Sequence, residues 1–164
     1  YELTTKSCLC QLWKMLTDKT VPEAGHASSV SATTSLDEVR VKDIILFIEE
    51  HYRESLTLDD LAGAIHISKS ECCRCFKRTL QVTPVEYLIK YRIFQAAILL
   101  QQGLPGMQTI SDLAFYVGFN NASYFNKVFK QYLNCTPSEY RRKVKNNSLL
   151  DLPMLGTLPS NSSR

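Results

Sequence analysis

No apolar run in this 164-residue sequence reaches the roughly 18 residues that a membrane-spanning helix requires, so a helical membrane protein is excluded. The first residues, Tyr1-Glu2-Leu3, include no initiator Met and no basic-then-apolar signal pattern. The chain is therefore expected to be the middle of a longer, cytoplasmic protein. Histidine is sparse, and His26, His51 and His66 are scattered. No His or second Cys pair stands at structural-zinc spacing from Cys72-Cys73-x-Cys75. On a helix Cys73 would point away from the face shared by Cys72 and Cys75, so no metal site is expected. No Ser/His/Asp set, paired carboxylates or Gly-rich phosphate loop occurs in a supporting context. Neither an enzyme nor a bound cofactor is expected.

What is present reads as a globular protein. Hydrophobic residues make up 45% of the chain, which is too many for disorder throughout. The six cysteines, Cys8, Cys10, Cys72, Cys73, Cys75 and Cys135, lie within helical patterns rather than loop-rich spacing, and read as free thiols. Net charge is only +3. Its distribution is uneven, however: Val39 to Lys145 holds 15 Lys and Arg against 10 Asp and Glu, while the remainder is slightly acidic. A basic central part suits contact with phosphates, although charge alone does not separate this from an ordinary solvated surface.

Four segments follow from the pattern. Residues 1–16 carry helical periodicity (Leu9, Leu12, Trp13, Leu16) and are expected to be the end of a regulatory domain. Residues 17–35, rich in Ser, Thr, Ala, Pro and Gly, read as a flexible linker. Residues 36–145 are almost continuously helical in pattern, beginning with an amphipathic stretch from Val39 to Tyr52. Residues 146–164 read as a disordered tail.

The central segment contains an internal repeat. Thr57-Leu58-Asp59-Asp60-Leu61-Ala62 matches Thr109-Ile110-Ser111-Asp112-Leu113-Ala114. Phe76-Lys77, Thr83-Pro84 and Tyr87 then match Phe129-Lys130, Thr136-Pro137 and Tyr140 with one extra residue intervening, placed in a turn. In each copy a Thr N-cap with Asp three residues on starts a short helix. A turn follows (His66 to Lys69; Gly118 to Asn121), then a second helix over about Ser70 to Leu80 and Ala122 to Leu133. Thr83-Pro84-x-Glu86 and Thr136-Pro137-x-Glu139 are capping boxes with Pro at N1, so a further helix starts at each. The first of these runs to about Gln101, and its stripe of Leu88, Tyr91, Ala96, Leu99 and Leu100 marks it as a rigid connector. The fold expected is all-α: two helix-turn-helix units joined by a long linker helix.

The motif Ile110-x-x-Leu113-Ala114-x-x-Val117-Gly118-Phe119, with Ser123-Tyr124-Phe125-x-x-Val128-Phe129-Lys130 and Thr136-Pro137-x-x-Tyr140-Arg141, resembles the DNA-binding domain of the AraC/XylS family. The resemblance covers about Leu36 to Arg142 and is more specific in the second unit. It implies about seven helices, with the second helix of each unit entering successive major grooves. It also implies a promoter as partner, with RNA polymerase recruited, more as an activator than a repressor, and an upstream regulatory domain. The sequence departs from the family pattern where Gln81 and Asn134 replace Gly at the ends of the recognition helices, and where Cys72 and Cys75 replace larger residues. The first unit is therefore expected to be the softer one.

With Phe76 and Phe129 anchoring the buried faces, Ser70, Cys73 and Arg74 lie outward in the first unit, and Ser123, Asn126 and Lys127 in the second. These are the candidate base contacts by resemblance: Arg74 to guanine, Asn126 to adenine, Lys127 to guanine or phosphate. Lys77, Arg78, Lys130, Arg141 and Arg142 are candidate phosphate contacts. Two alternatives are a helical protein–protein interaction module that does not bind DNA, and a thiol-dependent or DNA-repair protein working through a reactive Cys.

Overall fold

The computed structural model of the chain describes residues 30–103 and 109–146, with side chains from Leu36 onward. The expected helix in residues 1–16, most of the expected linker and the expected tail after Asn146 lie outside the described residues. Seven helices are described: α1 (Val30–His51), α2 (Leu58–Ala64), α3 (Lys69–Leu80), α4 (Pro84–Gln102), α5 (Ile110–Tyr116), α6 (Ala122–Leu133) and α7 (Pro137–Lys145). There are no strands among the described residues. The all-α expectation holds, and α4 joins the two units.

One boundary differs. Residues 17–35 read as linker, yet α1 already starts at Val30. Ser and Thr are only mildly unfavourable in helices, and extending a helix that is already nucleated costs far less than starting one. The buried face of α1, formed by Val41, Ile44, Ile45 and Ile48 and continued by Tyr52 just past its end, supplies the anchoring from which that extension proceeds.

The four Thr-capped starts fold as their local chemistry dictates. Thr57, Thr83, Thr109 and Thr136 each accept a bond from the backbone N–H three residues on, and Asp60, Glu86, Asp112 and Glu139 each accept one from the backbone N–H of the cap. Those bonds favour the ionised carboxylate and hold all four groups below their ordinary pKa. A depressed folded-state pKa means the stability is fully present above the unfolded carboxylate values of about 4 and is lost as pH falls through the lower folded values. Urea midpoints measured from pH 6 to pH 2.5 should therefore fall more gently in Glu86→Gln than in the wild type. Parallel acid limbs would contradict the assignment.

The two units superimpose in their chemistry to the level of single bonds. In each, the first helix closes with a residue of positive φ, His66 (56°) or Gly118 (91°). The next N–H then bonds back across the turn, Ile67 N to Ala62 O (3.0 Å) and Phe119 N to Ala114 O (2.9 Å). Ser68 and Asn121 cap the second helices. The extra residue of the second copy is therefore Asn120, between Phe119 and the cap. Each recognition helix ends left-handed, at Gln81 (58°) and Asn134 (55°). Left-handed backbone is strained for His66 and Gln81, so His66→Gly and Gln81→Gly should each stabilise the domain by about 1 kcal/mol. Urea unfolding checks this, and a loss of stability in both would contradict it.

Both units bury an equivalent aromatic pair edge-on, Phe76 with Tyr87 (5.9 Å between centroids) and Phe129 with Tyr140 (5.7 Å). The second unit adds Phe119 and Phe125, in contact at 5.2 Å, where the first has Ile67 and Cys72. The smaller first-unit core is covered instead by α1, which packs on α2 and α3.

Candidate nucleic-acid interface

The candidate interface lies on the exposed sides of α3 and α6. Cys72, Cys75, Phe76 and Leu80 bury one face of α3, and Phe125, Val128, Phe129 and Leu133 bury that of α6. Of the six expected base-reading residues, Ser70, Arg74, Ser123, Asn126 and Lys127 are exposed, and Cys73 is half-buried. They fall at equivalent places in the repeat: Ser70 with Ser123, Cys73 with Asn126, Arg74 with Lys127, and the flanking Lys77 with Lys130. Lys77, Arg78, Lys130 and Arg142 are also exposed, while Arg141 is half-buried.

The two helices differ in how their charges are held. Glu71 accepts from Arg74 (2.6 Å), Arg40 (3.0 Å) and Arg78 (3.2 Å). The Arg74 side chain remains 63% exposed, so its pair with Glu71 is weak and can be exchanged for a base or phosphate. Glu71 keeps two cations when Arg74 leaves. Arg78 is differently placed, because its Nε and NH2 nitrogens bind both oxygens of Asp37 (2.6 and 3.0 Å), a carboxylate buried in α1. That fork ties the recognition helix to α1, a role the sequence pattern alone did not show. The first turn of α6 has no acidic residue. Tyr124, which sequence reasoning used only as part of a motif, is 48% exposed there beside Ser123, with a phenol suited to a phosphate oxygen.

Among the described residues no group of three or more His, Cys, Asp or Glu is placed to hold a metal. Burial pushes the Cys72 thiol up to about 12, and raises Cys75 and Cys135. Those three thiols stay protonated near neutral pH and are poor nucleophiles. Iodoacetamide at pH 8 should leave Cys72, Cys75 and Cys135 unmodified in the folded protein and label them on unfolding. The thiol alternative turns instead on the half-buried Cys73: strongly enhanced alkylation there would support it, and ordinary reactivity would remove it.

A family model described as a helix-turn-helix domain matches residues 61–143, half of the chain. The chain belongs to the AraC-type helix-turn-helix family of DNA-binding transcription regulators. An uncharacterized HTH-type transcriptional regulator of Bacillus subtilis, YdeC, is 35% identical over 142 residues, which is 87% of this chain and 46% of that protein. The C-terminal domain of AraT, a response regulator from Geobacillus stearothermophilus, is 31% identical, with a TM-score of 0.57 over 63% of this chain and 84% of that one. An AraC-type DNA-binding domain protein from Chromobacterium violaceum shares the fold, with a TM-score of 0.60 at 24% identity over 67% of this chain and 96% of that one. The chain spans a third to about half of the length of the first curated relatives it matches. No helix among the described residues is long and apolar enough to cross a membrane.

Sequence reasoning about this AraC-type domain missed two buried charges, Asp37 and Arg92. Arg92 lies four residues from both Leu88 and Ala96, within the apolar stripe of α4, and is only 8% exposed. That spacing was the available signal.

Proposed function

We propose that this chain reads double-stranded promoter DNA through both recognition helices, α3 and α6, placed in successive major grooves. Ser70, Cys73 and Arg74 meet base edges in one groove, and Ser123, Asn126 and Lys127 in the next. Lys77, Arg78, Lys130, Arg141 and Arg142 contact phosphates. The observation that carries this reading is the repeat itself: outward polar and basic residues recur at equivalent places in two units whose caps, turns and anchors also match. On this reading the protein is a cytoplasmic transcription activator without catalytic activity. It recruits RNA polymerase under the control of an upstream regulatory domain.

About five phosphate contacts imply that the logarithm of the association constant falls with the logarithm of salt at a slope of about −4. Fluorescence anisotropy of a labelled promoter duplex between 50 and 250 mM salt (roughly the range over which such slopes are read) measures it. A slope near zero, or no binding, favours the protein–protein interaction module instead.

A further inference from the structure

We propose that Arg92, together with Gly118 and the Arg53–Tyr116 contact, sets the angular phase between the two recognition helices and hence the half-site spacing this protein accepts. The inference rests on the two-groove reading above. Arg92 sits midway along α4, which packs against both recognition helices. Its Nε donates to the Tyr52 carbonyl (2.7 Å) and its NH2 nitrogen to the Glu54 carbonyl (2.7 Å). Both acceptors belong to the end of α1 and the bend after it, on the side of the first unit. The same guanidinium lies 5.9 Å from the ring of Phe119, in the turn of the second unit.

Gly118, next to Phe119, comes closer still. A Cβ there would stand 2.5 Å from the Tyr52 carbonyl oxygen and 2.9 Å from Arg92 Nε. The turn of the second unit is therefore seated on the exit of α1, with the Arg92 fork between them. At the rim, the Arg53 guanidinium lies 4.3 Å from the centroid of the Tyr116 ring at the end of α5. A planar fork that binds two backbone carbonyls fixes direction as well as distance, which a flexible ammonium does not. The turn it holds leads directly into α6, so rotation about this junction rotates the second reading head relative to the first.

Wild type is compared with Arg92→Lys, which keeps the charge without the fork, and with Arg53→Ala, which removes the exposed stack on Tyr116 and the bond from Arg53 Nε to the Tyr52 hydroxyl (3.1 Å). Affinities are measured on a selected site with its native spacer and with one and two added base pairs. Each added pair turns the second half-site by about 35° and moves it about 3.4 Å. Wild type should lose about tenfold per insertion, because both helices can no longer engage together. Arg92→Lys should lose less than about threefold per insertion, and Arg53→Ala should fall between. A role in folding alone lowers affinity at every spacer equally, so an unchanged spacer ratio in folded variants overturns the proposal.

A second readout needs no DNA. Residual dipolar couplings from α2–α3 and α5–α6 should fit one alignment tensor in wild type and require two in Arg92→Lys. One shared tensor in the folded variant also overturns the proposal. If wild type binds no DNA, the proposed function fails while this measurement still decides whether Arg92 fixes the phase.

Discussion

Gly118→Ala should cost about 2–4 kcal/mol of folding stability, a large part of what a domain of this size possesses. Two effects act together. The backbone at Gly118 holds φ at +91°, which side chains other than glycine's rarely adopt, and the new methyl would lie 2.5 Å from the Tyr52 carbonyl oxygen. That oxygen belongs to the backbone and is already held by Arg92, so it cannot move aside cheaply. Gly63→Ala is the natural contrast: Gly63 lies within α2 with nothing within 4 Å of its missing Cβ. Relief of glycine's helix penalty should stabilise that variant by about 0.5–1 kcal/mol. Urea unfolding of both variants checks the pair. A Gly118→Ala protein within about 0.5 kcal/mol of wild type would show that the junction yields more readily than its geometry implies.

Arg74→Ala and Lys127→Ala should each abolish discrimination at the base pair that the residue reads, a loss of about 1–3 kcal/mol or roughly fivefold to more than a hundredfold. Affinity for unrelated DNA should fall much less. Lys77→Ala and Lys130→Ala, the flanking equivalent pair, should instead weaken all sequences alike and reduce the salt slope by about one unit each. The contrast matters because all four residues are exposed and basic, and only position along the helix separates them. Competition assays with a selected site and its single-base variants distinguish the two classes. If Arg74→Ala and Lys127→Ala keep wild-type selectivity, the assignment of the reading residues fails.

The legible parts of this protein were those encoded over three or four residues. A Thr cap and the acid three places on, joined in two cases by Pro at N1, specify a helix start without help from the rest of the chain, and all four such starts form. The buried anchors Phe76 and Phe129, and therefore the outward sides of α3 and α6, follow from helical spacing in the same way. What escaped was encoded over long separations. The fork from Arg78 to Asp37 joins residues 41 apart, and that from Arg92 to the Tyr52 carbonyl joins residues 40 apart. Arg78 looks the same in sequence whether or not its guanidinium also binds a buried carboxylate. The start of α1 at Val30 was hidden because Ser and Thr composition describes a weak helix former, whereas the helix is fixed by the apolar face downstream. The packing of α1 on α3 of the first unit is likewise something local pattern does not reveal.

The central claim is that both units read DNA sequence, and selection of bound sites from random duplexes by this chain tests it most directly. The expected outcome is two enriched blocks with centres about one helical turn apart, roughly 10 base pairs, with Arg74→Ala blurring one block and Lys127→Ala the other. Recovery of no enriched sequence, or of a single block that both variants leave intact, would contradict it.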